Sequence, residues 1–212
     1  MAKSPVKVDL PVSQIRRYLE PGPIVLVSSA HNDQRNIMTM GWHTVMEFTP
    51  SLIGCVIAGG NHSFGLIRAS GECVINLPTT ALTDTVVGNG NTSGSEIDKF
   101  LHFGVTALPA KRVKAPLIAE CHANFECQLA DDTLIDKYNF FIFEVVKADV
   151  AKSPGHPETL HYTGNGLFHG LRQNHHPPIA VLARDAIARG PNRGRLLGGI
   201  LGNWSRGCDG AD

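Results

Sequence analysis

The chain shows no charge bias: its 212 residues carry 19 Lys and Arg against 19 Asp and Glu, a formal net charge of zero. Without a positive excess it does not read as a general nucleic-acid binder or as a protein that lies on acidic membranes. No apolar stretch approaches the roughly 20 residues that a membrane-spanning helix needs. None follows the lysines of Met1-Ala2-Lys3-Ser4-Pro5-Val6-Lys7 either, so no secretory signal is expected. The cysteines (Cys55, Cys73, Cys121, Cys127, Cys208) are an odd set at irregular spacings. That excludes a ready disulfide framework and suits reduced core thiols and a cytoplasmic location.

Familiar catalytic signatures are missing as well. There is no G-x-S-x-G elbow, so a serine hydrolase lacks its nucleophile turn. The loop Gly88-Asn89-Gly90-Asn91-Thr92-Ser93-Gly94 is one residue too long for a dinucleotide fingerprint and follows a helix pattern rather than a strand. It reads as a loop over a ligand or as an ordinary surface loop. No metal site is expected. Cys121 and Cys127 share a strand face but lie roughly 20 Å apart at the strand rise, too far to bind one ion through bonds of about 2.3 Å. His122 points to the other face and is expected at the surface.

At 42% hydrophobic residues, the chain can bury one substantial core, and a single domain is the default. Short β-branched and apolar runs dominate. Ile24–Ser29, Ile37–Phe48, Leu52–Ile57 and Glu72–Leu77 read as strands. Ala119–Leu129 alternates small or apolar residues with polar ones, as a half-buried strand does, and Tyr138–Val150 returns beside it. Helices are few and short: Pro11–Tyr18, Ser63–Arg68, one capped by Thr80, and one opened by Ser93 and Glu96 at capping-box spacing. This order predicts a mainly β protein, an antiparallel closed barrel with a few short helices, rather than a parallel sheet.

Candidate binding residues cluster between Asn36 and Pro78. Asn61 or Ser63 can cap the helix that follows, and the same helix start offers free N–H groups and partial positive charge to a phosphate. Lys99 would add a charge-assisted bond to such an anion, although a solvated lysine is the plainer reading. Trp42, in a strand, is more commonly a core residue than a ring-facing one.

Together these segments resemble the flavin reductase-like, FMN-binding split-barrel family, which includes the flavoredoxins. The likeness rests on Pro23–Ser28, on Asn36-Ile37-Met38-Thr39-Met40-Gly41-Trp42 followed by Thr49-Pro50-Ser51-Leu52, and on His62–Ile67 followed by Gly71–Pro78. Ile97–Phe100 and Val113–Ile118 extend it, and it covers about Pro21 to Phe168. Gly41 stands where the family commonly has Ser, and Ser51 where it has a second Pro. The resemblance implies an antiparallel split β-barrel and a homodimer with FMN at the subunit interface. Asn36, Met38, Thr39 and Trp42 would meet the ring or its ribityl chain, and Ser63, Phe64, Ser93 and Lys99 the chain and phosphate. It also implies hydride transfer from NAD(P)H to the flavin, with His161 a candidate for the nicotinamide side. A flavoredoxin-like carrier that barely reacts with NAD(P)H, and a barrel that has lost its cofactor, are the alternatives.

The resemblance ends at Phe168. Lysine is absent after Lys152, and residues 169–212 form an anomalous tail rich in Arg, Gly, Ala and Pro. His169–Pro177 can be encoded so that dropping one base yields Met-Val-Cys-Gly-Lys-Thr-Ile-Thr, a strand like the family's last. We therefore expect residues 1–168 to form the barrel domain and the tail to be read out of frame.

Overall fold

The computed structural model describes residues 4–171 and the backbone of residues 179–182. Its elements run β1 (Lys7–Leu10), α1 (Arg16–Leu19), β2 (Val25–His31), β3 (Gln34–Met40), β4 (His43–Phe48), β5 (Ser51–Val56), α2 (His62–Ser70) and β6 (Glu72–Leu77). There follow α3 (Thr83–Gly90), α4 (Lys99–His102), β7 (Ala107–Leu108), β8 (Leu117–Ile118), β9 (Ala123–Asp131), α5 (Ile135–Tyr138) and β10 (Phe140–Ala151). The last are β11 (Thr159–Gly164), β12 (Leu167–Leu171) and β13 (Ile179–Leu182).

The main sheet is antiparallel in the order β3-β2-β6-β9-β10-β5-β4, with β1 also paired to β10. Its two end strands, β3 and β4, are consecutive in the chain and separated only by Gly41 and Trp42. The sheet must therefore curl until its ends meet, which makes it a barrel. The sequence reading took Ile37–Phe48 as one strand; it is two, broken at this seam. Gly41 allows a close approach there: a Cβ would lie 2.8 Å from Ile24 Cδ1, the far end of a flexible side chain.

Every strand of the path contributes to the main core. Val25, Val27, Met38, Met40, Ile53, Cys55, Cys73, Ile75, Leu77, Phe125, Cys127, Phe141 and Phe143 are buried together, and β4 adds the half-buried Val45. A second core lies on the other face of β2 and β3, where Leu26 and Ile37 meet Leu82, Val86, Phe100, Leu160 and Phe168. Alternation along β3 thus sends Met38 and Met40 into one core and Ile37 into the other.

The alternating segment at Ala119–Leu129 forms a strand only from Ala123, and much of its polar face is buried while Gln128 is exposed. Asn124 and Glu126 are as buried as Phe125 and Cys127, because the chain between β7 and β8 returns across them. Glu126 accepts the backbone N–H groups of Lys111 and Arg112. Asn124 Nδ2 donates to Asn76 Oδ1 at 2.7 Å, and Asn76 Oδ1 also accepts the Ile118 N–H at 3.0 Å. Asn76 Nδ2 in turn donates to Leu26 O and Ser28 Oγ. Asn76, Asn124 and Glu126 are all hydrogen-bonded, so the covering segment is held by hydrogen bonds where an apolar face would have used packing.

Two helix starts differ from expectation and one agrees with it. Asp98, not Ser93, caps α4 by accepting the N–H groups of Phe100 and Leu101. Thr79 precedes a 3-10 turn at Thr80–Leu82 that leads into α3. Asn61 is the cap of α2, its Oδ1 accepting Ser63 N–H at 2.9 Å.

The boundary drawn at Phe168 falls inside β12, which pairs with β11, and β13 pairs with β12 through backbone. The rest of the tail, with the out-of-frame reading of it, lies outside the described residues.

His122 is buried rather than at the surface, its ring 5.9 Å from that of Tyr18 and its Nε2 without a partner. Burial, helped by the nearby Lys7 ammonium, pushes its pKa down to about 4. In the unfolded chain an imidazole takes up its proton near pH 6.5. The unfolded state then binds more protons between about pH 6.5 and 4, so stability falls as the pH drops through that window. Urea midpoints compared at pH 7.5 and 4.5 should show a smaller acid loss for His122→Leu than for the native chain.

Candidate functional site

The hairpin β2–β3 turns at Asn32, whose left-handed φ of 53° suits Asn. That turn sets the register in which Ser29 faces Asn36 across the pair. Helix α2 packs on both strands and brings its first turn to the same place. There Asn36 Nδ2 donates to Ser63 Oγ at 2.9 Å and Ser29 Oγ donates to Ser63 Oγ at 3.1 Å. All three residues are buried.

Two valences of this cluster are uncommitted. Ser63 Oγ already accepts twice, so its own proton is free to be donated. Asn36 Oδ1 is buried without a partner. Reversing the amide would let Oδ1 accept from Ser63 and leave Nδ2 unpaired instead, so one end of the amide is unmatched in either orientation. That end faces the loop after α3: a Cβ on Gly94 would lie 2.0 Å from Asn36 Oδ1. Only glycine lets the loop come down so closely.

Helices α3 and α4 flank the loop and both rest on β3. Thr39 Oγ1 donates to Val86 O at 2.7 Å, tying β3 to α3. Arg35 holds α4 by an ion pair to Asp98 at 2.9 Å and lies 4.8 Å from the Phe100 ring centroid. Lys99 is not solvated. It is 4% exposed, and its Nζ donates to Asn89 O at 2.8 Å. A cation at the last carbonyls of α3 is favourably placed against the helix dipole. Burial nevertheless lowers its pKa to about 8, and the neighbouring Asn89 Oδ1 has no partner.

Of the residues expected to form a site, Asn36 and Ser63 meet directly, with the loop that carries Ser93 above them. Ser93 itself pairs with Ser95, Oγ to Oγ at 2.7 Å. Phe64 is half-buried and sets its ring edge-on to Phe141, with centroids 5.3 Å apart. Met38 faces the main core, whereas Thr39 faces α3, so the strand pleat separates two residues that the family resemblance grouped together. Trp42 is 50% exposed at the barrel seam rather than a core residue. His161 stands apart on β11, half-buried, with Nε2 2.9 Å from Thr159 Oγ1. Its pKa is lowered by burial first, a hydrogen bond to the Gly22 backbone opposing and the nearby His169 and His43 adding to the effect.

Ser29 and Gly94 were missed by sequence reasoning. For Ser29 the signal was available, because a turn centred on Asn32-Asp33 pairs it with Asn36. Gly94 carried none, since its role depends on tertiary approach. Among the described residues no three His, Cys, Asp or Glu side chains are grouped to hold a metal ion. Cys55, Cys73, Cys121 and Cys127 are buried free thiols. Likewise, among the described residues no helix is long and apolar enough to cross a membrane.

A barrel closed at Gly41-Trp42, a capped helix aimed at its β2–β3 face and a loop laid over the junction define a flavin-type split barrel. The family profile of the flavin reductase like domain matches residues 16–170, and the chain belongs to that family. An uncharacterized protein of Archaeoglobus fulgidus is 31% identical over 135 residues, 64% of this chain and 76% of the relative. The uncharacterized protein YddH of Escherichia coli K12 is 29% identical over 175 residues, 76% of this chain and 93% of its own. Among solved structures, an FMN-binding domain of a flavin reductases-like enzyme from Shewanella baltica OS155 superposes with a TM-score of 0.74 at 26% identity, covering 80% of this chain and 96% of that one. The flavoredoxin of Desulfovibrio vulgaris (Miyazaki F) superposes at 0.61 with 24% identity over 79% and 92% of the two chains, a likeness of fold.

The seam generates a test. In Gly41→Ser the new Cβ meets Ile24 Cδ1, the far end of a flexible side chain, and overpacking of this kind costs about 1–3 kcal/mol. Ile24→Val removes that atom. In a double-mutant cycle by urea denaturation, the pair should be more stable than the two single losses would sum to.

Proposed function

We propose that the chain binds FMN at the Ser29–Asn36–Ser63 cluster and passes a hydride from NAD(P)H to it as a flavin reductase. The observation that carries this reading is the uncommitted pair of valences there, a free hydroxyl proton on Ser63 and an unmatched amide end on Asn36. They suit a ligand that offers both acceptors and donors, as the sugar alcohol and ring edge of a flavin do. The FMN-binding enzyme of Shewanella baltica, similar in fold and at 26% identity, supports the same assignment.

Bound flavin would supply the redox chemistry by accepting a hydride and handing electrons on. The protein's part is binding and orientation. Ser63 and Asn36 would hold polar atoms of the ligand, Ser29 fixes Ser63 from behind, and the start of α2 offers its dipole to the phosphate. Lys99 would turn from Asn89 toward the phosphate, with Ser93 and Phe64 alongside. Met38 would contribute through its backbone and Thr39 by holding α3, while His161 borders the nicotinamide side. A homodimer follows from the exposed Trp42, Met46 and Phe48 on the end strand β4 and its approach, since a row of large apolar side chains at a sheet edge invites a partner. The buried free thiols suit a reducing cytoplasm.

A visible spectrum taken before and after anaerobic addition of NADH tests the reading. A yellow protein that bleaches rapidly supports the reductase. A yellow protein that does not bleach makes it an electron carrier. Colourless protein that fails to bind added FMN overturns the proposal.

Lys99 gives a second test. Lys99→Ala should weaken FMN binding by roughly 10- to 100-fold if the amine meets the phosphate. The contribution of Lys99 should be largely present at pH 7, where a lysine of pKa about 8 is mostly protonated, and be lost as the pH rises through that pKa. Flavin-fluorescence titrations at pH 7 and 9.5 measure both effects, and equal affinities for variant and native chain would leave Lys99 with Asn89 alone.

A further inference from the structure

Away from the Ser29–Asn36–Ser63 cluster, α1 and β11 enclose a cavity of about 160 Å³ between Arg17, Tyr18, Pro21, His156, Thr159 and His161, with Leu171 at its edge. In size it is close to the roughly 150 Å³ cavity that accepts one benzene molecule, so it has room for a single six-membered ring. Its walls are of two kinds. Tyr18, Pro21, Pro157 and Leu171 present flat or apolar surface, whereas Arg17, His156, His161 and Thr159 present hydrogen-bonding groups. No carboxylate is among the lining residues.

The polar groups are positioned and not neutralised. The His161 ring is fixed by Thr159 Oγ1 at 2.9 Å and by the backbone at Gly22. Arg17 makes no ion pair among the described residues, unlike its neighbour Arg16, which reaches Glu20 at 3.8 Å. A planar guanidinium lining a ring-sized slot that holds no carboxylate of its own suits bidentate recognition of one.

We propose that this cavity is a binding site for a small aromatic carboxylate, its ring between Tyr18, Pro21, Pro157 and the His161 imidazole and its anionic group on Arg17. The cavity shares His161 with the nicotinamide side named above but none of the Ser29–Asn36–Ser63 cluster, so benzoate binding and FMN binding succeed or fail separately.

Benzoate is the probe, titrated into the full-length protein by calorimetry and by NMR of the histidine ring protons. Benzoate should bind in the millimolar range or tighter, with the His161 signal shifted, and at least tenfold more tightly than benzamide, which has the ring without the charge. Inorganic phosphate, which has the charge without the ring, should be at least tenfold weaker as well. Arg17→Gln should reduce benzoate affinity about tenfold, and Leu171→Trp, which fills the slot while keeping Arg17, should abolish binding, with thermal melts confirming that both variants fold. Absence of benzoate binding, benzamide or phosphate binding as tightly as benzoate, an unmoved His161 signal, or affinity unchanged in both folded variants would overturn it.

Discussion

Closure of the barrel at Gly41-Trp42 is the constraint on which the other features depend. Because β3 and β4 occupy opposite ends of the strand order and yet follow one another in the chain, the sheet has one curvature available to it. That curvature encloses the main core, leaves the outer faces of β2 and β3 for α3 and α4, and exposes Trp42 at the joint. Ile24, filling the space a side chain at position 41 would take, belongs to the second core. The seam therefore couples the two cores at one atom's width.

The candidate site uses that arrangement economically. β3 contributes Asn36 to one side and Thr39 to the other, so one strand both touches the cluster and anchors the helix that leads into the covering loop. Polar side chains do the same work elsewhere: Asn76 and Asn124 fasten the chain between β7 and β8 over the sheet, and Glu126 binds its backbone. Both coverings rest on hydrogen-bonded amides and carboxylates.

What could be read in the sequence follows the range of the forces concerned. Strand existence was legible at Ile24–Ser29 and Glu72–Leu77, where short β-branched runs sit between turn residues, and antiparallel barrel order followed from the scarcity of helices. The helix after Asn61 was legible because capping is local. The break at Gly41 was not, since nothing within a few residues of it distinguishes a seam from a strand interior. His122 and Lys99 were misjudged for one reason: each belongs to a polar position whose burial is decided by a distant segment, the chain around Lys7 for one and the end of α3 for the other. Asn36 and Ser63 were named as candidates by resemblance, and the fold brings them together. Ser29 could have been added by counting across the hairpin, whereas Gly94 needed the fold.

The loop between α3 and α4 is fastened at both ends. Asn91 N–H reaches back to Val87 and Gly88 carbonyls, and Asp98 is gripped by Arg35 from β3. So short a span, pinned at both ends, covers the buried amide of Asn36 with less latitude than a longer loop would have. Any ligand that used that amide would share its space with this span, and the grip of Arg35 on Asp98 would bear on both.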